Sequence, residues 1–354
     1  MEFFTSNMFN ETMKAVLCEK PFSVSIKDIE VPKPKEGQVL IKVKLVGISN
    51  SDVKAYMGLF PGINYPIILG HELVGEISAL GKNVNNLKIG DEVIVEPLFP
   101  CGRCYPCIDG KYNLCINSRM LGVNTQGAFA EYIVAESSKV YIKDEFLSYE
   151  QALLIENLAV AIHAVKRSGI SIGDTIVIMG ADAIGLLTLQ VAKRSGASVL
   201  ITDSDPEKLH LAADFDADYV ISPETGNIQE LVMAMTKNKG ADVVIDCSVT
   251  PQTIKQTPSL VRKGGKITML GWTGNETDPI DLTKIAMNEI NLMGCTNYCG
   301  EFQIAIDLMN SNLFNLSSII SHRYEFYQIP KVLEKLSQDN EITKAIVNIY
   351  QSEI

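Results

Sequence analysis

Four cysteines stand within "CGRCYPCIDGKYNLC", at Cys101, Cys104, Cys107 and Cys115, in the spacing C-x2-C-x2-C-x7-C. Thiolates so spaced can close a tetrahedral shell around Zn²⁺ with no open position, which holds a loop in shape and performs no chemistry. Gly102 and Gly110 supply the bends such a loop needs. A disulfide pair or free thiols are the other accounts of the cluster. Disulfides are disfavoured in a reducing compartment, where clustered cysteines point to metal. Cys18, Cys247, Cys295 and Cys299 have no clustered partners and read as ordinary thiols.

A second stretch, "TIVIMGADAIGLLTLQ", has the order strand, tight turn, helix that a phosphate-binding unit needs. Gly180 permits the turn, Ala183 and Ile184 lead into the helix, and Gly185 lets that helix pack closely on the sheet. The helix N-terminus then aims N–H groups at a diphosphate. Twenty-three residues beyond Gly180, Asp203 closes the strand "VLITD". A carboxylate there can accept hydrogen bonds from a ribose diol, which favours NAD over NADP. The pattern G-x-G-x-x-G would place glycine at 182, where this chain has Asp182. Unit charges about 4 Å apart repel by roughly 4 kcal/mol at an effective dielectric near 20. That is a weakening of about a thousandfold unless the side chain turns to solvent or a cation intervenes.

Three further stretches set polar groups in apolar surroundings. "YPIILGHELVGEI" carries His71 and Glu72 from a glycine turn into a strand. "QALLIENLAVAIHAV" carries Glu156, a carboxylate that needs a metal or a salt-bridge partner if it is buried. "GISNSD", with Ser49, Ser51 and Asp52, ends the alternating run "QVLIKVKLVGI". His163 lies in an apolar helical stretch and reads as a core or cleft residue; His210 and His322 read as surface positions. Trp272, after "GKITMLG", is a nicotinamide contact, a dimer contact or packing.

The elements that must position these groups fall into two rhythms. Residues 13 to about 155 carry short alternating or β-branched runs broken by Gly and Pro, as in "QVLIKVKLV", "DEVIVEPL" and "GAFAEYIVA". Such runs form a twisted, largely antiparallel β domain. From about residue 157, apolar strands without a polar face alternate with helix-length segments, which means a parallel sheet covered on both sides. After about residue 300 a helix, then "SIISHRYEFYQIPKVLEKLSQ", then "KAIVNIY" make a tail expected to pack back on the first domain.

A chain of 354 residues, 46% hydrophobic and 21% charged, buries a large core and splits into two domains. A net charge of −11 argues against nucleic acid or an anionic membrane as partner, while leaving room for a small anionic ligand in a local site. No run of 18 apolar residues reads as a membrane span. The first twelve residues lack the basic start and apolar core of a signal peptide, so a cytoplasmic protein is expected.

Together, G-H-E-x-x-G (Gly70 to Gly75), the cysteine lobe, "GAFAEY" (Gly127 to Tyr132), "IENLAVAIHA" and the glycine turn carry a resemblance. From about Met13 to its C-terminus the chain resembles the zinc-dependent medium-chain dehydrogenases, nearest their sorbitol, galactitol-phosphate and threonine dehydrogenase branch. The resemblance implies an α/β protein with these units: an extension over 1–12, a GroES-like catalytic domain over 13–157 with its zinc lobe at 97–116, a Rossmann NAD-binding domain over 158–298, and a returning segment over 299–354. It implies hydride transfer between NAD(P) and the carbon of an alcohol on a catalytic zinc in the interdomain cleft. The zinc ligands would be the residue at 49, His71 and Glu156, with Glu72 alternating or acting through water. Ser51 matches the hydroxyl that relays the alcohol proton, and Asp52 the carboxylate that fixes the His71 ring. Family members are usually dimers or tetramers, and "GGKITMLG" with "EINLMGC" suits sheet pairing between subunits.

Ser49 departs from the family's cysteine. Its hydroxyl stays protonated near neutral pH and gives the metal little charge, so it is expected as a neutral ligand or water holder. Asn157 stands where the branch usually has proline. The expected function is oxidation of a secondary alcohol of a polyol, sugar or amino alcohol, or reduction of the matching ketone, with NAD(H). Glu156 favours polyols over simple alcohols, whose enzymes would have cysteine as third ligand. The alternatives are a catalytically impaired member serving as a binding or regulatory protein, or a substitution at Ser49 introduced to trap a complex.

Overall fold

A computed structural model of the chain describes residues 12–272, 280–311, 313–314, 316–338 and 342–350. Nearly all of the expected N-terminal extension lies outside the described residues.

The alternating runs form antiparallel sheets. Thr12–Lys20 pairs with Ser23–Glu30 and with Ile67–Ile68. The larger sheet has the order Val140–Ile142, Glu92–Val95, Glu72–Leu80, Gln38–Ile48, Ala345–Asn348, His322–Glu325, with Tyr132–Glu136 also on Gln38–Ile48. Gln38–Ile48 is its centre, and most of its residues are buried. Its register decides what meets at its end: Gly47 pairs with Glu72, and Ile48 with Ala345. Residues 49, 72 and 344 are thereby brought to one corner.

The apolar strands form a parallel sheet in the order Tyr219–Ile221, Ser198–Thr202, Thr175–Met179, Ala241–Asp246, Val261–Leu270, Asn291–Cys295. Ile176, Val177 and Ile178 are fully buried, as strands covered by helices on both faces require. From Thr175–Met179 the chain steps outward to Ser198–Thr202, then returns to Ala241–Asp246 on the other side. That reversal opens a crevice at the carboxyl ends of these two strands, the place where ligands bind in such sheets.

The hand-over expected near residue 157 falls inside the helix Ile155–Ser168, which Gly169 ends in the left-handed conformation. This helix is buried on most sides, and Glu301–Asn310 packs against it. One apolar core runs from Leu45, Val74 and Ile94 of the antiparallel sheet through this helix to Ile176 and Ile178. The tail then leaves for the other side. Helix Ile329–Gln338 packs on the short helix Asn50–Tyr56, and Ala345–Asn348 enters the antiparallel sheet beside Gln38–Ile48.

Candidate active site and metal centres

The cysteine lobe is built locally. Cys104 caps the turn Tyr105–Ile108, which starts with Pro106 near its N-terminus, and Cys115 ends the tight turn Tyr112–Leu114. The four sulfurs lie within 4.8 Å of one another, with Cys104–Cys107 at 3.4 Å and Cys104–Cys115 at 3.7 Å. Four thiolates about 2.3 Å from a tetrahedral Zn²⁺ would be roughly 3.8 Å apart, so the set fits the ion. All four cysteines are free, so the disulfide account fails. The Arg103 N–H, helped by that of Cys104, draws the Cys101 thiol down to about 6 against the cost of desolvation; desolvation pushes Cys107 up to about 12.

The second centre is assembled from distant segments. His71, Glu72 and Glu156 are buried, with donor atoms within 4.8 Å of one another. Asp52 Oδ1 accepts the Gly70 N–H and stands 3.6 Å from His71 Nδ1, which fixes both the turn and the ring. Glu72 Oε1 accepts a hydrogen bond from Asn157 Nδ2 at 2.9 Å, and Glu72 Oε2 meets the ammonium of Lys344. A Cβ on Gly47 would lie 1.9 Å from Glu72 Oε2, so only glycine leaves the carboxylate its place.

Three buried carboxylates around one imidazole create a demand for positive charge. Burial alone would lower the pKa of His71, but Asp52, then Glu156 and Glu72, hold it up at about 9. Burial pushes Glu156 up to about 7, reinforced by Glu72 and opposed by His71 and Lys344. Asp52 is held below its usual range, because His71 and Ser49 overcome its burial. An imidazole and a carboxyl, His71 and Glu156, that favour their protonated forms when buried beside other acids fit a divalent cation, which would take the place of those protons.

Ser49 is engaged as a helix N-cap. Its hydroxyl donates to Asp52 Oδ2 at 2.6 Å, accepts the Asp52 N–H at 3.1 Å, and lies 2.7 Å from Ser51 Oγ. With the Asp52 carboxylate bonded back to the Ser49 N–H, this is a complete capping box. The hydroxyl that stands for the family's thiolate is therefore neutral and already satisfied.

The phosphate turn has a feature the sequence did not foretell. Asp182 is paired with Lys208 at 2.6 Å and accepts from Asn50 Nδ2 at 3.1 Å across the cleft. Lys208 is 4% exposed, and the pull of Asp182 outweighs burial in raising its pKa. A cation does intervene, and the repulsion expected from Asp182 meets a neutral pair. Gly185 would place a Cβ 2.0 Å from the Gly180 carbonyl, which confirms its packing role. Asp203 braces the turn, accepting from Ala181 N–H at 2.7 Å and Asp205 N–H at 3.0 Å. Ala183 and Ile184 line the same cavity.

One cavity of about 260 Å³ joins the two halves, from Gly180 and Asp182 to His71, Glu156, Ser49 and Ser51. Phe60 and Trp272 meet edge to face on its wall, with ring centroids 4.7 Å apart. Trp272 is thus a wall residue among the described residues. His163 bonds Glu301 at 3.2 Å, a core role. His210 is exposed, whereas His322 is half-buried and stacks on Tyr324. Cys299 donates to the Gly110 carbonyl of the lobe, and Cys295 is buried.

Lys208, Lys344, Asn50 and Lys54 were missed by sequence reasoning. Lys208 was findable, because an acid in a phosphate turn demands a cation and "PEKL" follows Asp203 closely. Lys344 was not: only the pairing of Gln38–Ile48 with both Ala345–Asn348 and Glu72–Leu80 brings it to Glu72, far away in the chain.

Comparison with known proteins gives the family. Residues 35–145 match the alcohol dehydrogenase GroES-like domain, and residues 183–311 the zinc-binding dehydrogenase family. The sorbitol dehydrogenase of Bacillus subtilis (strain 168) is 34% identical over 95% of this chain and 97% of its own. The D-arabitol-phosphate dehydrogenase of Enterococcus avium is 32% identical over 94% and 97%. A solved alcohol dehydrogenase from Escherichia coli CFT073, complexed with NADH, superposes with a TM-score of 0.88 at 29% identity, covering 96% of this chain and 100% of that one. The chain belongs to the zinc-type medium-chain alcohol dehydrogenases, in their polyol branch, and is an oxidoreductase with a GroES-like and a Rossmann-like part. Among the described residues no helix is long and apolar enough to cross a membrane.

Proposed function

We propose that the chain oxidises a secondary alcohol of a polyol, or reduces the matching ketone, with NAD(H) and a second zinc held by His71, Glu72 and Glu156. The observation that carries this reading is the buried donor set within 4.8 Å opening into the same cavity as the phosphate turn. The sorbitol and arabitol-phosphate relatives support the substrate class. A bound zinc would supply acidification of the substrate hydroxyl, and a bound nicotinamide acceptance of the hydride.

The chain's own residues do the rest. Asp52 orients the His71 ring so that its other nitrogen faces the donor set. Asn157 and Lys344 hold the Glu72 carboxylate at the edge of the set. Ser51 relays the substrate proton: its Oγ accepts that proton as its own hydroxyl proton passes outward to solvent, with the Ser49 hydroxyl as its hydrogen-bonded neighbour. Phe60, Val160, Leu270 and Trp272 exclude water from the reacting end of the cavity. Asp203 favours NAD by accepting from the ribose diol. Division of the chain near residues 157 and 299, and assembly as a dimer or tetramer, belong to the same proposal.

Ser49, saturated as a cap, favours a second reading: a binding protein that carries only the lobe zinc. Metal analysis after zinc loading separates the two, with about two ions per chain for the enzyme and about one for the binding protein. NADH titration completes the test, and absence of binding at millimolar cofactor overturns the first reading.

A further inference from the structure

We propose that Lys54 recognises an anionic end group, so that the substrate is an open-chain polyol ending in a phosphate or carboxylate rather than a neutral polyol. This rests on the reading of the cleft as a polyol dehydrogenase site. Lys54 lies on the helix Asn50–Tyr56, three residues beyond Ser51 and so on the same helix face. Both line the cavity that holds His71 and Glu156.

The other lysines of the interior show why Lys54 stands apart. The three buried ones each meet a carboxylate: Lys143 with Glu92, Lys208 with Asp182, Lys344 with Glu72. Among the described residues Lys54 meets none, and its ammonium is held by Trp272 instead. Its ammonium donates to the Trp272 carbonyl at 2.6 Å and sits 4.9 Å from the Trp272 ring centroid. A Lys ammonium has three donors, so two are left for an incoming oxygen. The aromatic wall of Phe60 and Trp272 keeps this corner poor in water, where a charge-assisted hydrogen bond is strong.

The cofactor diphosphate is not the partner this placement suits. Its site is the turn Gly180–Gly185, which Asn50 reaches through Asp182. Lys54 is one helical turn further on, beside the end of strand Val261–Leu270. A helical turn is about 5 Å long, so an anion on Lys54 lies several carbons from a hydroxyl at Ser51.

The test compares zinc-loaded wild type, Lys54→Met and Lys54→Arg on galactitol, galactitol 1-phosphate, L-galactonate, sorbitol and sorbitol 6-phosphate. Rates with NAD are paired with calorimetric binding of the same compounds to the NAD-loaded protein. The expected result is tighter binding and higher kcat/KM for an anionic compound than for its neutral parent. Lys54→Met should reduce that ratio about 10- to 100-fold, Lys54→Arg should largely restore it, and the KM for NAD should stay put. The phosphate and carboxylate arms show which anion is taken. An equal or better neutral parent, an unchanged ratio in Lys54→Met, or a change confined to the KM for NAD overturns the proposal. Lys54-dependent binding of an anionic compound without turnover of any polyol upholds the anion site and sinks the dehydrogenase reading instead.

Discussion

The two candidate metal centres are built by opposite means. The lobe gathers four identical soft donors from fifteen residues of chain and leaves no open position, while Tyr112 and Gly110 tie it to Glu96 and Cys299 outside it. The cleft gathers an imidazole and two carboxylates from segments 85 residues apart and surrounds them with Asp52, Asn157 and Lys344. One is a closed shell whose work is mechanical. The other leaves room for a ligand and keeps its charges balanced by neighbours that are not themselves donors. The lesson is that a site missing its thiolate can still be tuned by what stands behind the donors.

The comparison breaks most sharply at the donors themselves. His71→Ala or Glu156→Ala should cost about a thousandfold or more in kcat/KM, roughly 4 kcal/mol, because each removes a donor from an already weakened set. Initial rates with NAD would show this, while metal analysis finds the lobe zinc still in place. Cys107→Ser should do the reverse. It should release the lobe zinc and destabilise the fold by roughly 3 kcal/mol, seen as a lower Tm, since the ion's share of the folding free energy is lost with it.

Ser49→Cys sharpens the contrast. It should tighten zinc at the cleft by about 10- to 100-fold in chelator competition. Loss of the hydroxyl cap should cost the helix about 1 kcal/mol in the metal-free protein. A variant that gains no affinity would show that Ser49 lies too far from the donor set to serve.

Acid separates the centres by degree. Metal at the cleft must displace the proton on His71, held at about 9, and below about 7 the proton on Glu156 as well. Cleft zinc affinity should therefore fall as pH drops from 9, and fall faster below 7, measured by competition at fixed chelator.

The smallest effect concerns the scaffold. Glu301 is held at about 2: burial would raise it, but His163 and Lys166 outweigh burial and pin the helix that carries Glu156. Its folded value lies below the ordinary 4.5, so its contribution is complete above that pH and is lost as pH falls toward 2. Glu301→Gln should cost roughly 1–2 kcal/mol at pH 6, allowing for screening at the exposed Lys166, and almost nothing near pH 2. Denaturant titrations at the two pH values would check it.

The cysteine lobe and the strand-turn-helix of the phosphate site were legible because each is short and its spacing alone sets its geometry. The capping role of Ser49 was equally local, since Ser49 and Asp52 are three residues apart, but its place in the family pattern drew attention to the metal instead. Asp182 read as damage because its partner lies on the next helix, after an intervening strand.

Sequence by itself determined the kinds of donor present, the closed shell of the lobe, the alternation that makes one half antiparallel and the apolar strands that make the other parallel. Those follow from chemistry and periodicity, which act over a few residues. Only the tertiary structure decided that Lys344 stands against Glu72, that Lys208 neutralises Asp182, and that Lys54 lines the cavity with its ammonium on the Trp272 carbonyl. Electrostatic pairing depends on distance in space, and strand register and helix packing set that distance between residues far apart in the chain.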